Sequence, residues 1–230
     1  MVVAGKAGID GDQWAQCARE RGWLWNDAGG GAFATLILAH GAGAPMDSNW
    51  MDGMAERLAA RGVSVLRFEF PYMAQRRLDG GKRPPNQQVK LLESWREVFT
   101  EVRRHVAGPL AIGGKSMGGR MASLVADELN ADALVCLGYP FYAAGKPEKP
   151  RVAHLAQLKT PTLIVQGERD ALGNRAAVEA YTLAPGIELM WLVAADHDLK
   201  PLKASGFTHE QHLDAAADRI AGWLRSAGFL

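Results

Sequence analysis

The chain has 230 residues, with 26 basic against 25 acidic side chains and 48% hydrophobic residues. That length suits one sizeable α/β domain spanning residues 1–230, and a formal charge of +1 offers no global attraction to nucleic acid or to an anionic membrane. Cys17 and Cys136 stand far apart, which argues against a disulfide framework or a zinc site, and no stretch reaches the ~18 apolar residues of a membrane span.

The N-terminal stretch MVVAGKAGID lacks a charged segment leading into a long apolar one. With two free thiols expected, the reading is a cytoplasmic protein. Within residues 1–31, Asp12–Glu20 has the spacing of a helix and Gly22–Trp25 that of an edge strand, turned back through a glycine-rich run at 29–31. Beyond it, the apolar runs Ala34–Ala39, Val63–Phe68, Leu110–Gly113, Ala133–Leu137, Thr162–Val165 and Glu188–Val193 read as strands buried on both faces. Between them Trp50–Arg61, Gln87–Val106, Met117–Asn130, Arg175–Leu183 and Thr208–Arg225 show helical spacing. Alternating strand and helix predicts a mostly parallel central sheet with helices on both faces. Pro71–Asn86 reads as a long irregular connection carrying the basic residues Arg76, Arg77, Lys82 and Arg83.

The stretch LAIGGKSMGGR at 110–120 carries the chemistry. An apolar strand runs into Gly114-Lys115-Ser116-Met117-Gly118 and then a helix, which is the setting of a G-x-S-x-G nucleophile elbow. The turn is so tight that the serine is expected to be strained, with glycine needed two residues before and after it. A phosphate-binding loop with its lysine at Lys115 requires glycine at position 109, where this chain has Pro109.

A serine hydroxyl needs a base within hydrogen-bond reach and a carboxylate to orient that base. Asp170 and His197 follow Ser116 by 54 and by a further 27 residues, each at the end of a predicted strand, in the chain order serine, acid, histidine. Asp196 and Asp198 flank His197, but sequence neighbours rarely aim their side chains at one another, so Asp170 is the expected acid. The N–H groups of Met117 and Ala42 are the expected oxyanion donors, with His40 bracing the Ala42 loop. His209 and His212, spaced HEQH, miss the i,i+4 geometry of a zinc helix, so no metal or cofactor is expected. His105 and His154 read as capping or packing residues. Arg120, one turn into the helix, is expected to pair with a buried acid, Glu69 being a suitable partner.

LAHGAGAPMDS at 38–48, RFEFPYM at 67–73, GGKSMGGR at 113–120, LGYPF at 137–141, PTLIVQGERD at 161–170 and DHDLKP at 196–201 occur in order. In these the chain resembles the α/β-hydrolase superfamily, and within it the small dienelactone-hydrolase-related proteins of the KANL/Tex-like group. The resemblance implies an α/β-hydrolase fold and a serine hydrolase with Ser116, Asp170 and His197 as its triad. Dienelactone hydrolases proper carry cysteine where this chain has Ser116.

The expected function is esterase-like cleavage of a small acyl substrate through an acyl-enzyme. A noncatalytic scaffold that binds a protein or nucleic-acid partner through the basic Arg76–Arg83 segment is the alternative. Only 138–160 separates two successive strands, too little for a cap domain, so an open site is expected. Trp50, Tyr72, Met73, Phe141 and Tyr142 are the expected apolar lining, and short acyl groups the expected preference.

Overall fold

The computed structural model describes residues 11–226. Residues 1–10, which carry the stretch read for a leader, and residues 227–230 lie outside the described residues. Nine strands follow in chain order: β1 (Leu24–Asn26), β2 (Ala34–Ala39), β3 (Val63–Phe68), β4 (Leu110–Lys115), β5 (Ala133–Leu137), β6 (Tyr142–Ala143), β7 (Lys146–Pro150), β8 (Thr162–Gly167) and β9 (Ile187–Leu192). The helices are α1 (Gly11–Glu20), α2 (Asn49–Ala59), α3 (Pro71–Asp79), α4 (Gln88–His105), α5 (Met117–Leu129), α6 (Arg175–Val178) and α7 (His209–Ser226).

Seven strands form one sheet in the order β1-β3-β2-β4-β5-β8-β9, with β1 antiparallel and the other pairings parallel. Alternate side chains of the central strands feed two cores. Ile37, Leu66, Phe68, Ile112, Leu134 and Ile164 pack with Trp95 and Val98 of α4 and Met121 and Val125 of α5. Their neighbours Leu36, Leu38, Val65, Val135, Leu163 and Val165 pack on the other face with Met54 and Leu58 of α2 and Ala217 and Ile220 of α7. A period of two with both faces buried is why these strands read as unbroken apolar runs.

The order of the strands locates the crevice. From β2 the chain goes to β3 on one side, then crosses to β4 on the other, so the loops after β2 and β4 leave in opposite directions. The carboxyl ends of strands at such a switch point are where open α/β sheets bind ligands.

Two local readings need correction, and the expectation of no cap holds. The connection after β3 contains α3, started by Pro71 at its first turn and stopped by Gly80 at φ +69°, whose N–H bonds the Arg76 carbonyl at 2.8 Å. The helix expected over Arg175–Leu183 is a single turn, α6: beyond Val178 the N–H groups of Ala180 and Tyr181 tighten to the carbonyls three residues back, and Ala184 N–H bonds the Leu155 carbonyl. Between β5 and β8 stand only the β6–β7 hairpin and a 3-10 turn at Ala153–Ala156, and no cap domain is evident among the described residues.

Candidate active site

Ser116 sits between β4 and α5 with φ +52° and ψ −117°, a backbone conformation that costs of order 1–3 kcal/mol and lifts the side chain out of the turn. The turn closes only because Gly114 and Gly118 flank it. A Cβ on either would lie 2.5 Å from the Ala39 carbonyl oxygen. The Ser116 N–H bonds the Leu137 carbonyl at 2.9 Å, tying the elbow to the end of β5.

His197 Nε2 lies 2.9 Å from Ser116 Oγ, and His197 Nδ1 lies 2.8 Å from Asp170 Oδ2. A carboxylate only accepts, so Nδ1 carries the proton and Nε2 accepts from the serine hydroxyl. Asp170 is fully buried. Its Oδ2 also accepts from Gln166 Nε2 at 2.8 Å, and its Oδ1 accepts from Leu172 N–H at 2.8 Å. Gln166 in turn accepts from Tyr139 N–H at 2.7 Å, so its amide is held at both ends. This buried polar residue at the end of β8 escaped the sequence reading, although glutamine inside an apolar run was the available signal.

The loop after β9 that carries His197 is fastened from several sides. Asp196 Oδ1 accepts from the N–H groups of Asp198 and Lys200 and shapes the turn. The Asp198 carbonyl accepts from Trp50 Nε1 at 3.0 Å and bonds His209 Nε2 at 2.9 Å, while His212 Nδ1 bonds the Leu199 carbonyl at 3.2 Å. The two histidines of HEQH thus hold this loop. Gly138, at φ +62°, lets it approach, since a Cβ there would stand 2.7 Å from the His197 carbonyl oxygen.

Lys115 is buried, with Nζ 2.8 Å from the His197 carbonyl and 3.1 Å from Asp198 Oδ1. Burial lowers the Lys115 pKa. Burial also works to raise that of Asp198, but the ammonium beside it outweighs this and holds the carboxyl below its ordinary value.

Across the cleft, the loop after β2 is braced by His40 and Tyr72. His40 Nε2 accepts from Phe70 N–H at 3.1 Å, so its Nδ1 donates to the Gly41 carbonyl at 2.7 Å. Burial lowers the His40 pKa, in keeping with this neutral tautomer. Tyr72 Oη donates to the Ala42 carbonyl at 2.9 Å. Ala42 lines both cavities around Ser116 and Met117 the larger, and among the described residues neither backbone N–H donates to a loop or turn carbonyl.

Ser116 and Ala42 border two cavities. The larger, of 480 Å³, runs over Met117, Arg120, Leu91, Tyr142 and Arg151. The smaller, of 310 Å³, runs over Trp50, Met51, Lys115, His197 and Asp198. Of the expected lining, Trp50 and Tyr142 are there. Tyr72 is buried beneath the Ala42 loop, and burial pushes its hydroxyl up to about 12. Phe141 is fully buried against Tyr139 and Tyr181, and Met73 borders a separate surface cavity with Arg76 and Arg77. Glu69 pairs with Arg77 at 2.6 Å and not with Arg120, whose one side-chain contact is Gln88 at 3.4 Å.

Among the described residues, Cys17, Glu101 and His105 form the one group with metal-binding proximity. Arg21 donates to both Cys17 and Glu101, and Arg104 also donates to Glu101, so cationic side chains already neutralise it. It lies at the C-terminal end of α4, which leads into the start of β4, the end of that strand away from Ser116.

The fold has relatives of known structure. An alpha-beta serine hydrolase homologue from Coxiella burnetii matches with a TM-score of 0.64 at 19% identity, covering 88% of each chain. A dienelactone hydrolase from Anabaena variabilis matches at 0.64 and 21% identity, over 88% of this chain and 95% of that one. A serine hydrolase without lid from Xanthomonas campestris matches at 0.59 and 17% identity, over 89% of this chain and 86% of that one. These likenesses concern the fold. A family model described as an alpha/beta hydrolase domain matches residues 32–225, and on that match the chain belongs to the alpha/beta hydrolase family.

Proposed function

We propose that this protein is a serine esterase that cleaves small acyl esters through a Ser116–His197–Asp170 triad. The observation that carries the reading is the unbroken line from Asp170 Oδ2 through the imidazole to Ser116 Oγ, with links of 2.8 and 2.9 Å. In the first half-reaction Ser116 Oγ bonds to the acyl carbon while its proton passes to His197 Nε2. The tetrahedral oxyanion is held by the N–H groups of Met117, at the N-terminus of α5, and Ala42. The bond from the acyl carbon to the alkoxide then breaks, and His197 gives its proton to the departing oxygen. In the second half, water attacks the acyl-enzyme, its proton goes to His197 and returns to Ser116 Oγ, and the carboxylic acid leaves.

Because His197 must reach the departing oxygen, the cavity that His197 borders takes the alcohol. The larger cavity, on the side away from the imidazole, takes the acyl chain.

The scaffold reading keeps only part of its basic surface. Arg77 is paired with Asp47 and Glu69, and Arg83 with Asp79, so half of the four basic side chains are already neutralised.

The experiment is labelling with a fluorophosphonate, which reacts with an activated serine, alongside turnover of p-nitrophenyl butyrate. The native chain is expected to do both, and Ser116→Ala, folded by circular dichroism, to do neither. Undiminished ester turnover in Ser116→Ala overturns the proposal.

A further inference from the structure

The larger cavity is the place where the side chains exceed what the proposed chemistry uses. Arg120 and Arg151 both border it, and no carboxylate does. The Arg120 Nε is fully buried with no hydrogen-bond partner, and its Nη2 reaches only Gln88 Oε1, at a long 3.4 Å. Burial lowers the Arg120 pKa, and the Arg151 charge acts in the same direction. The Arg151 backbone is anchored, its N–H bonding the Phe141 carbonyl at 2.6 Å and its carbonyl accepting from Tyr139 Oη at 3.3 Å. Several other arginines have acids: Arg77 has Glu69 and Asp47, Arg96 has Glu128, and Arg175 has Glu168 and Glu179. A buried guanidinium donor with no acceptor carries a desolvation cost that a bound anion removes.

We infer that the acyl side of this site recognises a carboxylate at the far end of the acyl group, so that the substrates are half-esters of short dicarboxylic acids. Arg120 lies four residues beyond Ser116, one helical turn along α5, and an arginine side chain one turn from the nucleophile spans the length of a few methylenes. The terminal carboxylate takes the Arg120 Nη donors, relieving the charge of the poorly paired guanidinium, and the exposed Arg151 closes on its outer side. Leu91, Met121 and Tyr142 cover the methylenes between. The covalent steps are unchanged: water supplies hydroxyl to the acyl carbon and a proton to the alcohol, and the product is a dicarboxylate. This inference rests on the esterase reading.

The test compares kcat/KM for the p-nitrophenyl half-esters of succinic, glutaric and adipic acid with that for the same compounds capped as methyl esters at the far end. The native chain is expected to prefer the best free acid over its capped form about ten- to a hundredfold at low salt, the range of a charged hydrogen bond. The preference is expected to shrink as NaCl is raised, since Arg151 is exposed to screening. Arg151→Gln, a change at an exposed position, and Arg120→Gln are each expected to cut that ratio several-fold. If no ester of either kind is turned over, the esterase reading fails and takes this inference with it. Should capped esters be cleaved while the ratio stays near one, or the ratio survive both substitutions, the inference fails alone.

Discussion

The Lys115 ammonium donates to the backbone carbonyl of His197 at 2.8 Å, so the residue next to the serine in sequence grips the loop that carries the imidazole. The same Nζ lies 3.1 Å from Asp198 Oδ1 and 5.6 Å from the centre of the Trp50 ring. Strand alternation points Lys115 to one side of the elbow and Ser116 is thrust up by its strained turn, so one dipeptide supplies the proposed nucleophile and an anchor for its partner. Lys115→Met retains most of the side chain's bulk and removes its donor. We expect kcat to fall by about ten- to a hundredfold, as misplacement of a reacting group by about 1 Å does, with KM for p-nitrophenyl butyrate little altered. Steady-state kinetics with a thermal melt of the same sample checks this, and an undiminished kcat removes the positioning role.

Asp170 and Asp198 both lie near His197, but only Asp170 meets its ring. Asp170 is fully buried and meets the ring at Nδ1, whereas Asp198 is exposed and its carboxylate pairs with Lys115. Asp170→Asn presents an amide where the ring needs an acceptor, favours the wrong tautomer, and is expected to lower kcat by about 10⁴-fold. Asp198→Asn leaves the Lys115 bond to the His197 carbonyl in place, and the Asp198 carboxylate it alters is open to solvent, which weakens its pull on Lys115, so a loss of no more than about tenfold is expected. Side-by-side kcat values decide it, and a crippled Asp198→Asn beside a mild Asp170→Asn reverses the assignment of the acid.

What the sequence made legible is what periodicity and glycine spacing encode. β2, β3 and β5 start and stop where their largely apolar runs do, because both faces of each are buried, Thr35, Ser64 and Arg67 included. Gly114 and Gly118 announce the elbow because no side chain fits at either place. The hairpin β6–β7 was not legible, since all five residues of β7 are exposed and two of them are prolines, leaving no hydrophobic pattern to detect. α3 buries only Tyr72 and Met73, so its boundaries, Pro71 and Gly80, were the one signal available. The partners of Gln166 and Lys115 depend on which loops meet at the sheet edge, and that is a property of strand order that no local window contains.

Two histidines outside the triad make the fold acid-sensitive. Burial, with the Arg120 charge adding to it, lowers His154 to about 4, and burial lowers His40 as well. Each is neutral in the folded chain and takes a proton more readily once unfolded, so between the ordinary histidine pKa of about 6.5 and the lower folded value the unfolded state binds more protons. Their stabilising contribution is therefore complete above pH 6.5 and declines as pH falls toward 4. Thermal midpoints measured from pH 8 to pH 4 are expected to hold level and then drop below about 6.5. His154→Gln is expected to flatten part of that slope, because Gln cannot take a proton while its amide can still meet Ser123 Oγ, the partner of His154 Nε2 at 2.8 Å. An identical slope in His154→Gln assigns the acid sensitivity elsewhere.

The absence of a cap among the described residues sets the response to acyl length. Between β5 and β8 the chain builds only a two-stranded hairpin and one 3-10 turn, so the roof of the larger cavity is Tyr142 and Ala143 of the hairpin with Arg151 beyond it. Leu91, Met117 and Met121 give the cavity a small apolar cover, and Arg120, Gln88 and Asn86 make up polar parts of its wall. The first few methylenes of an acyl chain are covered there, and each fully buried methylene contributes about 0.8 kcal/mol, or about fourfold in kcat/KM. Further methylenes meet arginine and solvent and gain little. For uncapped aliphatic p-nitrophenyl esters at matched, sub-micellar concentrations, kcat/KM is expected to rise from acetyl to butyryl and then to level or fall. A steady climb through to C10–C12 contradicts an open site and requires a covered apolar channel that the hairpin, as it lies here, does not make.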